Sequence, residues 1–258
     1  MISIDELAAR QLRDYDSRQP GLMFANPITL SVEDAYNLQE AVAALRQQRG
    51  DKQTGYKVGC TSPAIRTQIE IDHPVSGRLW ESERHRSGCS LKLNDFCNPA
   101  IEGELAVELT RDLHGENLPD SEIESAVGWV FPVIELHNAV FRRDKPSAAE
   151  LIANNAIHAG FVAGTTRTEF RQLNSARLSI EIDGTVVDGY EGADLTKTII
   201  QSLRWLAAHL ARDGRQLNTH ETVLTGSLPK LIPVNGDTEI RVVTSHFGNV
   251  AAQFVAGG

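Results

Sequence analysis

Between Ser31 and Gly50 the apolar residues Ala35, Leu38, Val42 and Leu45 fall three or four positions apart, the spacing of one helix face. Gly50 ends that helix, because glycine readily takes the left-handed conformation that closes a helical C-terminus. Upstream, Ser3-Ile4-Asp5-Glu6 is a capping-box pattern and predicts an earlier helix. From Thr54 the period shortens. Residues 55–59, 101–109 and 129–136 read as β-rich segments separated by Gly, Asn, Asp and Pro, and short helices open at about Ser121 and at Ser147. Leu178, Ile180 and Ile182 alternate up to Asp183-Gly184, with Val186 beyond, which predicts a tight hairpin. Asp194 is the expected cap of a helix whose stripe is Ile199, Leu203, Leu206 and Leu210, stopped by Gly214. Residues 221–226, 238–244 and 249–255 return to strands, with Pro233-Val234-Asn235-Gly236-Asp237 as a turn.

Strands joined mostly by turns rather than by regular helical crossovers disfavour a doubly wound parallel sheet and predict an α+β architecture. The expected division is a helical region over residues 1–53 and a β-rich catalytic region over 54–258, in one continuous domain. A length of 258 residues with 41% hydrophobic residues supports one sizeable core. A net charge of -9 without a basic block argues against nucleic acid or an anionic membrane surface as partner, and favours a small molecule or another protein. Cys60, Cys89 and Cys97 match no zinc or C-x-x-C spacing and read as free thiols. The N-terminus lacks a signal peptide's apolar core and no segment has the length of a membrane span, so the expected location is the cytoplasm.

The chemistry concentrates in Ile101-Glu102-Gly103-Glu104-Leu105-Ala106-Val107-Glu108-Leu109. As a strand, this segment turns Ile101, Leu105, Val107 and Leu109 to the core, and sets Glu102 and Glu104 on the other face with Cα atoms roughly 6.6 Å apart. Two carboxylates so placed can converge on one cation; without it they repel. Glu135 lies inside the apolar run Phe131-Pro132-Val133-Ile134-Glu135-Leu136, where an unpaired carboxylate is costly to bury. Three carboxylates make an all-oxygen site suited to Mg²⁺ or Mn²⁺. His137, two residues past Glu135, shares its face and alters that preference if it joins. On spacing alone, a solvated strand face with Glu135 paired to an arginine fits equally. Glu108 shares the face but lies too far from Glu102 to share an ion.

These residues stand in a longer series. Gly55-Tyr56-Lys57-Val58-Gly59 with Thr61-Ser62 comes first, then Asp72-His73-Pro74 with Gly77-Arg78-Leu79, Ile101-Glu102-Gly103-Glu104 and Pro132-Val133-Ile134-Glu135. Ala153-Asn154-Asn155-Ala156 with Gly160 follows, then Leu224-Thr225-Gly226-Ser227-Leu228 with Pro233-Val234 and Gly236-Asp237. In order and spacing the series resembles the 2-oxopent-4-enoate hydratase and 4-oxalocrotonate decarboxylase group of the fumarylacetoacetate hydrolase superfamily.

The resemblance implies N-terminal helices packed on a mixed, rolled β-structure, with Glu102, Glu104 and Glu135 binding Mg²⁺ or Mn²⁺. It implies catalytic roles for Lys57 and Asp72 in proton transfer, and substrate contacts from Asn155, Gly226 and Ser227. Exposed or turn-forming roles fit Lys57, Asp72, Asn155 and Ser227 from sequence alone. Asn138 and Asn154 stand where the group often has aspartate. The implied activity is hydration of a 2-hydroxy-2,4-dienoate (a small dienoic acid substrate) to a 4-hydroxy-2-oxo acid in aromatic catabolism. The alternatives are decarboxylation of a 2-oxo-3-enedioate, C–C hydrolysis of an acylpyruvate, or a non-catalytic scaffold subunit. A homo-oligomer, associated with another pathway enzyme, is the implied assembly.

Overall fold

The computed structural model describes residues 3–26, 28–142 and 147–257. Among these residues the helices are α1 (Ile4–Asp16), α2 (Val32–Gln48), α3 (Pro63–Gln68), α4 (Asp120–Ala126), α5 (Ala148–Ala153) and α6 (Asp194–Ala211). The strands are β1 (Gln53–Gly59), β2 (Val75–Trp80), β3 (Arg84–Arg86), β4 (Cys89–Lys92), β5 (Pro99–Leu109), β6 (Val127–Asn138), β7 (His158–Ala163), β8 (Arg177–Ile182), β9 (Thr185–Glu191), β10 (Thr222–Leu224), β11 (Ile232–Pro233), β12 (Thr238–Thr244) and β13 (Asn249–Val255). The larger sheet runs β2-β1-β10-β5-β6-β7-β3, with β11 also on β5; the second runs β4-β13-β12-β8-β9. Pairing is antiparallel except for β1 with β10, β3 with β7 and β4 with β13. This is the mixed α+β arrangement expected, with two curled sheets.

Local signals account for most element ends. Ser3 and Glu6 cap α1 reciprocally, and Ser31 Oγ accepts the Asp34 N–H at the start of α2. Asp183 and Gly184 both have positive φ, 49° and 77°, as the two-residue turn joining β8 to β9 requires. Asp194 differs from expectation. Ala193 is the N-cap of α6, and Asp194, inside the first turn, accepts the Tyr190 hydroxyl. β2 and β7 escaped the sequence pattern because every residue in each is buried, so neither alternates.

The core between the sheets joins Ile101, Leu105 and Val107 of β5 to Ile180, Ile240 and Val242 of the second sheet and to Ile199, Leu203 and Leu206 of α6. A second cluster joins the N-terminal helices, through Leu7 and Leu38, to Leu151 and Ile152 of α5 and Val75 of β2. Gln39 ties α2 down further by donating to the Ser76 and Ile152 carbonyls. No helix among the described residues is long and apolar enough to cross a membrane. All three cysteines are free.

Gly103 sets how closely the sheets approach under the carboxylate segment. A Cβ there would stand 2.8 Å from Ile180 Cγ1 and 2.9 Å from Val242 Cγ2. Gly103→Ala should therefore cost about 1–3 kcal/mol of stability by overpacking, read as a lower urea midpoint.

α2 and α6 also meet through rings. His209 lies 4.6 Å from Tyr36 and 5.0 Å from Trp205, centroid to centroid. Burial pushes the His209 pKa down to about 4; Asp213 opposes this, whereas Arg215, Arg212 and His73 reinforce it. Above the ordinary histidine value near 6.5, both folded and unfolded chains hold this ring neutral. Below it the unfolded chain takes a proton that the folded chain refuses until about pH 4. Stability should thus fall between those pH values, by on the order of 3 kcal/mol for this group. His209→Phe should flatten that limb of the urea-midpoint profile.

Candidate metal centre

The register of β5 with β6 sets Glu102 opposite Glu135, Glu104 opposite Val133 and Ala100 opposite His137. Because side chains alternate, Glu102, Glu104, Glu135 and His137 share the face turned away from the inter-sheet core. Lys57 joins them from β1, whose register runs through Leu224 of β10 to Ala106 of β5. Glu104 and Glu135 are each only 1% exposed, and Lys57 only 3%.

Glu135 is the centre of the charge network. Its Oε1 lies 3.2 Å from Lys57 Nζ and 2.7 Å from His158 Nδ1, and its Oε2 lies 3.5 Å from His137 Nε2. That imidazole nitrogen is also 3.3 Å from Glu102 Oε2. Burial disfavours ionised Glu135, yet Lys57, His137 and His158 outweigh it and hold the carboxyl well below its usual range. Glu104 goes the other way: burial pushes it well above that range, and the Glu135 and Glu102 charges add to the effect. For Lys57, burial opposes the ammonium, but Glu135, Glu102 and Glu104 outweigh burial and raise its pKa.

Glu102, Glu135 and His137 offer ligand atoms that all lie within 4.8 Å of one another. Glu104 stands beside Glu135, with Oε2 accepting the Gly226 N–H and Oε1 buried without a hydrogen-bond partner among the described residues. Both His137 ring nitrogens also lack hydrogen bonds there. Buried donors and acceptors normally have partners. A divalent cation held by Glu102, Glu135 and one ring nitrogen of His137 would neutralise the crowded carboxylates, so this donor set fits one. His137 adds a nitrogen to what the sequence predicted as an all-oxygen set.

The other predicted site residues are distributed differently. Gly226 spends its N–H on Glu104, and its φ of +96° suits glycine. Ser227 Oγ lies 3.0 Å from both the Gly103 and Pro229 carbonyls, to one of which it donates, while its residue lines the adjacent cavity. Asn155 is engaged with β2, accepting the Arg78 N–H and donating to the Arg78 carbonyl. Asp72 is not brought to the cluster: its side chain is 97% exposed, with His73 Nε2 3.9 Å from its Oδ1. Asn138 accepts the Cys97 N–H, and Asn154 accepts from Gln11 and donates to the Glu150 carbonyl, so both are structural clamps.

His158 was not anticipated from sequence. It reaches Glu135 through a register shift between β6 and β7, preceded by three left-handed residues, Asn155, Ala156 and Ile157, at φ 54°, 51° and 55°. A β-branched residue there is unusual. The same turn aims the Ala156 carbonyl at Lys57 Nζ, 3.4 Å away.

A cavity of about 440 Å³ opens onto this cluster, with Lys57, Glu102 and His137 in its lining. The sequence model of the fumarylacetoacetate hydrolase C-terminal domain matches residues 82–255, which include β5, β6 and β7. The chain belongs to the fumarylacetoacetate hydrolase family. Within it, the chain is 31% identical over 225 residues to a Pseudomonas putida protein named TodF product hydratase, covering 86% of this chain and 84% of that one. It is 26% identical over 252 residues to 4-oxalocrotonate decarboxylase of Pseudomonas putida, covering 97% and 92%. The solved 4-oxalocrotonate decarboxylase of Pseudomonas putida G7, complexed with magnesium and adipate, superposes with TM-score 0.90 at 24% identity, over 98% of this chain and 97% of that one. Hydratases and decarboxylases of this kind are lyases.

Glu104→Gln removes one of two adjacent buried carboxyls while keeping an acceptor for Gly226. The metal-free variant should melt higher than the parent, and Mg²⁺ or Mn²⁺ should raise its melting temperature far less. Differential scanning calorimetry with and without each ion checks both halves.

Proposed function

We propose that this chain is a divalent-metal-dependent hydratase that adds water to a 2-hydroxy-2,4-dienoate and releases a 4-hydroxy-2-oxo acid. The observation that carries the reading is Glu135, held ionised by Lys57 and His158, beside Glu102, Glu104 and His137 in a cluster onto which a ligand-sized cavity opens. The hydratase relative, matched over most of both chains, supports the same reading.

Glu102, Glu104 and Glu135, with His137, would hold Mg²⁺ or Mn²⁺; the imidazole favours Mn²⁺ of the two. When bound, the ion would supply Lewis-acid stabilisation of negative charge on the substrate's carboxylate and neighbouring oxygen. Lys57 stays an ammonium in this surrounding, so it holds negative charge and gives a proton rather than accepting one. Protonation of the far end of the diene leaves an α,β-unsaturated ketone, and water adds at its β-carbon. Glu102, half-buried at 24% side-chain exposure and in the cavity lining, would accept the water's proton.

Decarboxylation of a 2-oxo-3-enedioate remains the second reading, favoured by the decarboxylase relative that spans 97% of this chain. Asn138 does not decide between them. Its amide holds the Cys97 backbone, so the aspartate it replaces leaves no gap at the cluster.

With Mg²⁺ present, 2-hydroxypenta-2,4-dienoate should lose its ultraviolet absorbance without CO₂ release, and Glu135→Gln should lower the rate by about two orders of magnitude or more. Release of CO₂ from 2-oxohex-3-enedioate, with the dienoate untouched, would move the assignment to the decarboxylase. An inert response to both substrates would sink both readings.

A further inference from the structure

We propose that the cavity selects substrates whose tail, the part remote from the 2-oxo acid head, is uncharged and apolar rather than a second carboxylate. This rests on the reading of the cluster as the site that holds the head. The two ends of the cavity differ in chemistry. Charge is concentrated at the base, in Lys57, Glu102 and His137. The mouth carries Ile65, Phe141 and Leu231, exposed by 45%, 36% and 37%, which are three of the largest apolar exposures among the described residues. They come from three separate segments: α3, the stretch after β6 and the stretch before β11. Solvent-facing apolar side chains converging on one cavity from three elements mark a binding surface rather than scattered surface residues.

α3 supports the same conclusion. None of its residues is buried, yet Ala64, Ile65 and Gln68 line the cavity. The helix therefore does little for the core and presents its apolar side chains to the cavity.

A terminal carboxylate would need a cation near the mouth, and among the described residues the arginines in the mouth segments, Arg66 and Arg142, are committed elsewhere. Arg66 donates to the Cys60 and Thr61 carbonyls. Arg142 donates from its side chain to the Pro20 carbonyl and Cys97 Sγ. Among the described residues, the lysines lining the cavity are Lys57, occupied at the base, and Lys230. Lys230 is exposed, and a hydrated surface ammonium attracts a carboxylate only weakly. Burying a carboxylate against Ile65, Phe141 and Leu231 costs its hydration with no buried compensating pair among the described residues, whereas an alkyl tail gains by leaving water.

Saturated 2-oxo acids separate tail recognition from turnover. Isothermal titration calorimetry with Mg²⁺ present would compare 2-oxoheptanoate with 2-oxoadipate, which differ at the tail terminus. The heptanoate should bind more tightly by about tenfold or more, the discrimination of a methylene or two in an apolar pocket. Leu231→Lys should shift that ratio toward 2-oxoadipate by a similar factor, and its folding is checked by its melting temperature. Equal or tighter binding of 2-oxoadipate by the parent protein overturns the tail assignment. So does an unchanged ratio in both Leu231→Lys and a second variant, Ile65→Lys. Hydration of the tail-free 2-hydroxypenta-2,4-dienoate would survive either result, so the hydratase reading fails only on its own assay. Absence of binding by both acids overturns the tail assignment as well.

Discussion

Two buried carboxylates side by side constrain this molecule more than any other feature. Glu104 and Glu135 cannot both be ionised cheaply in a desolvated site, and the fold resolves the conflict by treating them unequally. Lys57 and His158 converge on one Glu135 oxygen, while Glu104 accepts the Gly226 N–H at one of its own. The metal-free chain thus holds an ionised and a proton-retaining carboxyl in contact. Buried ion pairs of this sort contribute little net stability and are better explained by what they hold in readiness.

Backbone features at a distance serve that arrangement. Gly103 lets the second sheet pack directly beneath the two glutamates of β5, which fixes the strand they project from. On the opposite side, the left-handed run Asn155-Ala156-Ile157 brings His158 to Glu135 and a carbonyl to Lys57. Such conformations cost about 1–3 kcal/mol each. They persist because Asn155 fastens the turn to both backbone groups of Arg78, and because Ala156 and Ile157 pack into the cluster formed by the N-terminal helices. Helices outside the matched family segment therefore help to hold a turn at the chemical centre.

Period-two alternation was enough to read β5 from the sequence: it assigned Leu105 and Val107 to the core and Glu102 and Glu104 to the other face. It also placed His137 with Glu135 and could have placed Asn138 away from them. Alternation could not reveal His158, because its approach depends on a register shift and a turn whose residues are not glycines. Nor could it orient Asp72, whose short loop carries no periodic signal and turns the carboxylate to solvent. Gly226 and Asn155 were located by motif, but their hydrogen-bond partners lie far away in sequence, on β5 and β2. Strand period thus reports facing, while partnership across the fold is left to tertiary structure.

This separation extends to the cavity. Its charged base is built on paired strands, where the ladder and the inter-sheet core leave side chains little freedom, as chemistry on a small head group requires. Its mouth is built from a short helix with no buried residue and from residues of two connections. Substitution at the mouth can alter which tail is accepted without disturbing the balance between Glu104 and Glu135. Substitution at the base cannot, because the charges of Glu102 and Lys57 act on Glu104, and those of Lys57 and His137 on Glu135.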